Sequence, residues 1–400
     1  MKLTGGDPFW SVRNGLLSTY PPLTGNLTCD VAVIGGGITG ALTAFHLVQA
    51  GVSTVLLDKR DIGTGSTCAS TGLLQYEVDV PLRQLTKQIG ARKAGRSYLL
   101  CRDAVEKICT LVKKFDLRCD LAAKPSLFLT RSEAEIADLH EEHRLRKRLG
   151  LQVEFLDRSE IEKHYPFSRP AALFSEEGAE VDPHRFTQGL LSVAEKKGLR
   201  IFDRTNVTKF QPTRLGMDLV TETGFTIRAR RVVIAAGFES QKYLSRQFAQ
   251  LKSTYALISE PVPNLRPWYR RSLIWETGTP YLYLRTTGEN RIIVGGEDVE
   301  IVNPASRDRL INAKTRVLQR KFAKLFPEIR LEVAFSWAGT FSSTKDGLAY
   351  IGAHRSLPHA YFALGYGGNG ITYSLIAAEI IRDDFLGRKN ADAAIFSFNR

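Results

Sequence analysis

The sequence predicts an α/β fold with a parallel sheet at its start, and three observations predict it. Asp30-Val-Ala-Val-Ile-Gly35 is a short, continuous apolar run rich in β-branched residues, as expected of a strand buried on both faces. Gly35-Gly36-Gly37-Ile38-Thr39-Gly40 follows directly as a G-x-G-x-x-G fingerprint and opens a helical pattern, Ile38 to Ala50, with Leu42, Phe45 and Leu47 at helical spacing. Ser53 to Leu57 is a second strand closed by Asp58, 18 residues past Gly40. Together they make one β-α-β unit of the Rossmann type.

The next elements follow in order. Val80 to Phe115 reads as helix broken near Gly90, Ser126 to Thr130 as strand, and Ser132 to Leu149 as a charged helix. Asp182 and Pro183 fit an N-cap and a first helical residue, with the helix running to about Lys197. Strands fill Arg200 to Ala235, ending in Val232-Val-Ile-Ala-Ala-Gly237. Tyr281 to Arg285 and Arg291 to Gly295, joined by Thr287-Gly-Glu-Asn290, form a hairpin. A helix covers Ser306 to Phe326; His359 to Leu364 is a strand, Gly365 to Gly370 a glycine loop and Ile371 to Phe385 a helix. The first 29 residues read as a polar arm carrying Phe9, Trp10 and Pro21-Pro22.

Four hundred residues with 43% hydrophobic and 24% charged side chains suggest two or three globular domains and exclude disorder and fibrous repeats. No apolar run approaches the roughly 20 residues of a membrane span, and the opening residues lack the apolar core of a signal peptide. A soluble, uncleaved, cytoplasmic protein is expected. The net charge of +13 favours anionic partners. Its densest stretches are His143 to Arg148, Arg228 to Arg231 and Arg266 to Arg271; the first is expected to be a solvated helix face. Cys29, Cys68, Cys101, Cys109 and Cys119 match no zinc spacing and are expected as reduced thiols, with no metal site.

The fingerprint carries chemistry. Small residues let the backbone of Gly35, Gly37, Ile38, Thr39 and Gly40 approach a pyrophosphate at a helix N-terminus, and Asp58 can accept from ribose hydroxyls. After Asp58, Lys59 and Arg60 lead into Gly65-Ser66-Thr67-Cys68-Ala69-Ser70-Thr71-Gly72-Leu73. This loop, small and rich in hydroxyls, suits a second phosphate and the edge of an isoalloxazine; a simple NAD dehydrogenase would return at once to helix and strand.

On these residues the chain resembles the FAD-dependent amine and amino-acid oxidoreductases related to D-amino acid oxidase, glycine oxidase and sarcosine oxidase. Further matching pieces, in the family's order, are Glu180-Val-Asp182-Pro183, Val232–Gly237, Tyr281–Gly296, Trp337-Ala-Gly339, Thr344-Lys-Asp346-Gly347, Tyr350-Ile-Gly352 and the closing Gly365–Gly370 loop. The closing loop and the aromatic arm look closest to the gamma-glutamylputrescine oxidoreductase-like branch. The resemblance implies a Rossmann-type FAD domain assembled from 1–79, 165–250 and 337–400. An α+β substrate domain from 80–164 and 251–336 interrupts it and carries an antiparallel sheet over the flavin. It implies Val207 as a backbone partner of adenine, and further cofactor contacts at Ala236, Gly237, Gly339 and Asp346. Gly367, Gly368, Asn369, Gly370, Ile371 and Thr372 complete the set. It also implies hydride transfer from the substrate carbon to the flavin, the imine then being hydrolysed. Gly368, Asn369 and Gly370 would stabilise negative charge on the reduced ring.

One departure is informative. Glycine oxidase-like relatives carry a carboxylate-clamping arginine two residues after the Trp-Ala-Gly triplet, where this chain has Phe341. A phenyl ring offers no bidentate fork, so the expected substrate is an amine, or an amino acid anchored elsewhere. Arg285 is the substitute clamp considered; Tyr255, Tyr281, Tyr283 and Tyr366 are candidate pocket residues. Ala69 occupies the usual histidine position for a covalent link, and no cysteine follows Cys119, so non-covalent FAD is expected. The electron acceptor is open between oxygen and a quinone or carrier protein. A tRNA-modifying flavoprotein and a flavin-binding subunit of a larger assembly are the other readings, although no RNA module is recognisable and no nucleic-acid partner is expected.

Overall fold

The structure is a computed structural model and describes residues 2–278 and 280–400. Its parallel sheet forms from the apolar β-branched runs named above. Leu27–Ile34 lies at the centre, flanked in parallel by Thr54–Leu57 and Thr226–Ile234. Arg200–Phe202 and Ala360–Leu364 extend it in parallel on either side, and Tyr350–Ala353 closes it antiparallel. Val31, Val33, Val55, Leu57, Val233 and Phe362 are fully inaccessible, because helices or further layers cover both faces. The helices Ile38–Gln49 and Gly370–Phe385 pack together on one side.

The second sheet has ten strands, nine on its main path and Val153–Asp157 paired beside Ala171–Glu180. Its centre is Val333–Ser343, Gln250–Ser259, Ile292–Val299 and Leu282–Thr286, all paired antiparallel. The expected hairpin is therefore present. Leu273–Glu276 joins Ala122–Leu129 in parallel, and Ala171–Glu180 follows antiparallel. Two short strands end the path: Thr4–Gly6 and Leu73–Leu74. The helices Leu82–Ile89 and Ala91–Lys114 meet at Gly90, the break the sequence marks.

Several expectations need correction. The opening arm is not polar: Phe9–Asn14 is a helix with Phe9 and Trp10 buried against Ala256, Ile258, Ile293 and Trp337. Ala171–Glu180, within the segment expected in the FAD domain, pairs into the antiparallel sheet, as do Thr4–Gly6 and Leu73–Leu74. The charged run at 143–148 is not all solvated, because Arg146 is buried and its Nε donates to Glu142 at 2.8 Å. All five cysteines are free thiols; Cys109 is half-buried and the rest are buried. Among the described residues no helix is long and apolar enough to cross a membrane.

Candidate active site

The two sheets face each other across a cavity of about 900 Å³. On the parallel side it is walled by the carboxyl ends of the strands, where ligands of open α/β sheets bind. Gly35, Gly37, Ile38, Thr39, Asp58, Lys59 and Arg60 line it there, with Val207, Ala236 and Gly237. Gly65, Ser66, Thr67, Ser70, Thr71 and Leu73 form a second wall. Gly339, Phe341 and Tyr283 line it from the second sheet, and Tyr366, Gly367, Gly368, Asn369, Gly370, Ile371 and Thr372 line it from the loop and helix start that follow Ala360–Leu364.

The fingerprint is a cradle that side chains would fill. Gly35 adopts φ +112°, and a Cβ there would strike the Ala235 carbonyl. A Cβ on Gly40 would run into the Gly35 carbonyl, so Gly40 does not line the cavity; it lets the helix approach the strand. The Thr67 hydroxyl accepts from the Ile38 amide at 3.0 Å and so ties the hydroxyl-rich loop to the first helical turn. Asp58 accepts from the amides of Gly36 at 2.6 Å and Arg60 at 2.8 Å. Burial lifts its pKa, against the pull of those two amides and of Arg60 and Lys59. Beside it, Lys59 and Arg60 reach Glu239 at 2.7 and 3.2 Å. Burial would raise the Glu239 carboxyl, but these cations outweigh it and hold it at about 2.

Three side chains from distant parts of the chain grip consecutive carbonyls of the loop. Trp337 Nε1 donates to Ala69 at 2.9 Å, Trp10 Nε1 to Ser70 at 2.7 Å and Arg285 Nε to Thr71 at 2.6 Å. Arg285 is therefore not a substrate clamp. It is fully buried, pairs with Glu180 at 3.2 Å, donates to Val181 and does not line the cavity. Tyr255 is also elsewhere, donating to the Arg307 carbonyl from within the sheet core. Asp346 lies outside too, because Arg400 holds it at 2.8 Å. Gly72 turns the loop at φ +72°, close under the Val181 carbonyl, and does not line the cavity. Cys68 is buried, donates to the Gly65 carbonyl and is raised by burial, which leaves it a protonated thiol turned away from the cavity.

At the last helix two of the three expected residues, Gly368 and Asn369, already donate within the protein. The Gly368 amide donates to both oxygens of Asp79, at 3.1 and 3.2 Å. The Asn369 amide group donates to the Gln75 and Glu77 carbonyls at 3.1 and 2.7 Å, which fixes this loop against residues 75–77. Gly367 adopts φ +54°, and a Cβ there would collide with the Asp79 carboxylate. Sequence reasoning missed Asp79 and its neighbour Asp298; both line the cavity beside Lys252, Thr254 and Tyr281. Asp79 opens onto the cavity, though protein surrounds it. Burial, opposed by the Gly368 amide and assisted by Asp298, raises it to about 6. Asp298 is likewise raised to about 6 by burial, against the Thr254 hydroxyl and Lys252.

The residues fit a flavin dinucleotide: a glycine cradle, an acid at the end of the second parallel strand and a cavity between two sheets. Bound there, FAD supplies the two-electron acceptor. Gly35, Gly37, Ile38 and Thr39 would hold its diphosphate, and Asp58 and Val207 its adenosine.

Comparison with known proteins agrees. Gamma-glutamylputrescine oxidoreductase of Escherichia coli (strain K12) is 26% identical over 392 residues, covering 94% of this chain and 89% of that protein. Glycine oxidase of Geobacillus kaustophilus (strain HTA426) is 26% identical over 387 residues, covering 93% and 97%. The crystal structure of glycine oxidase from Geobacillus kaustophilus superposes with a TM-score of 0.76 at 22% identity over 93% of this chain and 99% of that one. The L-amino acid deaminase from Proteus vulgaris gives 0.78 at 18% identity, covering 96% and 100%. The family model of FAD-dependent oxidoreductases matches residues 30–383, and the chain belongs to that family.

Proposed function

We propose that this flavoenzyme oxidises the C–N bond of an amine that needs no α-carboxylate. The carbon–nitrogen bond loses two electrons and two protons, and water hydrolyses the resulting imine to a carbonyl compound and a smaller amine or ammonia. The observation that carries the reading is the wall around Phe341. A phenyl ring stands where a carboxylate fork would be needed, and Arg285 is committed to Glu180 and to loop carbonyls. The remaining guanidinium groups on that side are matched by carboxylates: Arg146 by Glu142 and Glu77, and Arg83 by Asp138.

The chain's own residues position and desolvate. Trp10, Trp337 and Arg285 hold the 69–71 carbonyls, so the loop beside the reacting groups is rigid. Asp79 and Asp298 face the same cavity, so the amine meets a wall that carries carboxylates. Non-covalent attachment of FAD is part of the proposal. The test is anaerobic bleaching of the flavin absorbance by a panel of amines and amino acids. Larger amines should bleach it, and glycine or sarcosine acting as fast as they do would overturn the reading.

A further inference from the structure

Asp79 and Asp298 reach one place from distant parts of the chain. Asp79 follows the short strand Leu73–Leu74, and Asp298 lies near the end of Ile292–Val299. Both face the cavity, and among the described residues neither has an ion-pair partner within 4 Å. Lys252 is the nearby cation, and its own partner within that range is Glu300 at 3.9 Å. Asp298 Oδ1 is buried and accepts no hydrogen bond, although the Thr254 and Tyr281 hydroxyls lie near the carboxylate. Glu77, also lining the cavity and only 5% exposed, keeps Oε2 equally without a donor although Oε1 meets Arg146. Buried carboxylate oxygens without donors are costly unless something fills their valence.

The wall beside them is aromatic. Tyr281 and Tyr283 stand with ring centroids 5.8 Å apart, and both line the cavity with Phe341. Aromatic faces next to carboxylates suit an alkylammonium, which gains cation–π attraction and charge-assisted hydrogen bonds together. The contrast with the rest of the molecule is informative: the chain carries +13 overall, yet this stretch of wall sets Asp79, Asp298 and Glu300 around Lys252.

We propose that Asp298 and Asp79, with Tyr281 and Tyr283, form a subsite for a second cationic nitrogen, so that the substrate is a diamine or polyamine. This deepens the amine reading and rests on it: one nitrogen is oxidised as the free base while the other is held as an ammonium ion. An α-amino acid brings a carboxylate to this wall and is disfavoured by like charge.

The test uses the FAD-loaded enzyme with its flavin reduced by dithionite, so that binding is measured without turnover. Equilibrium dialysis compares 1,4-diaminobutane, butylamine and 4-aminobutanoate. The diamine should bind at least about tenfold tighter than butylamine, 4-aminobutanoate should bind weakest, and Asp298→Asn should shrink the diamine preference to about threefold or less. Butylamine binding as tightly as the diamine, or a preference unchanged in Asp298→Asn, overturns the subsite. Should that variant fail to retain FAD, Asp79→Asn is read by the same criterion. The two ideas fail differently. Bleaching of oxidised enzyme by monoamines and diamines alike removes the subsite and leaves amine oxidation standing. Diamine-selective dialysis with no bleaching by any amine removes amine oxidation and leaves a cation-binding pocket.

Discussion

Arg285 donates through Nε to the carbonyl of Thr71 at 2.6 Å, across 214 residues of sequence. Its terminal nitrogen meets Glu180 at 3.2 Å, with both side chains almost wholly inaccessible. Removing one partner of such a pair strands the other. Arg285→Ala should lose about 3–5 kcal/mol and release the loop. Thermal unfolding followed by flavin fluorescence should show a lower Tm and easier loss of FAD. A variant of unchanged Tm whose KM alone rises would restore Arg285 as a substrate ligand.

Gly40→Ala places a methyl group against the Gly35 carbonyl and pushes the helix off the strand that forms the cradle. The purified variant should contain little FAD. Gly189→Ala is the control: it sits in the helix Pro183–Glu195, where a Cβ meets Leu117 at an ordinary 3.4 Å. It should keep its flavin and gain up to about 1 kcal/mol from helix propensity. Equal flavin content in the two would remove the cradle argument.

Asp58→Ala should weaken FAD retention roughly tenfold or more, because the carboxylate both orders the amides of Gly36 and Arg60 and faces the cavity. Cofactor content after gel filtration measures it. A variant that keeps full occupancy would leave Asp58 with a purely local role.

The acidic wall predicts a pH dependence with a definite sign. Burial raises Asp79 and Asp298 to about 6, with Asp298 adding to the rise at Asp79 and Glu297 to that at Asp298, while Lys252 and nearby hydroxyl or amide donors oppose it. Diamine affinity should therefore fall as pH drops below about 6. For stability, the folded state binds more protons than the unfolded state between the ordinary aspartate range and about 6, so stability declines as pH rises through that window. Asp298→Asn removes its share of this cost. Its Tm should exceed that of the parent by a few degrees at pH 8, with the gap closing near pH 4.

Phe341→Arg restores a guanidinium to the wall. It should raise kcat/KM for glycine or sarcosine by tenfold or more and lower it for diamines, as steady-state assays would show. No gain on carboxylate substrates would mean that Phe341 does not set selectivity.

Local signals made much of this fold readable. The β-branched run before Gly35, Asp182 followed by Pro183, and Thr287-Gly-Glu-Asn290 between alternating strands all act within a few residues, and each element lies where its own chemistry requires. The fingerprint side of the site was legible for the same reason. Trp10 was not, because nothing in a segment rich in Pro and Gly reveals a burial partner 60 residues away at Ser70. Arg146 was hidden inside a basic run, since one inward turn of a charged helix is decided by Glu77 and Tyr76 beneath it. Asp79 and Asp298 carry no motif. Only the pairing of distant strands sets them side by side, and a carboxylate in a single sequence looks like any solvated one.

The large sheet also bears on how the protein behaves when concentrated. Its outer rows are brief: three residues at Thr4–Gly6 on one side, two at Leu73–Leu74 on the other, and the five-residue Val153–Asp157 bearing Glu154 and Asp157. Such stubs give an incoming chain little to zip onto. Recruitment at Leu73–Leu74 would also have to dislodge the segment that leads to Asp79, so self-association through that border would show itself as lost amine binding before any aggregate scattered light.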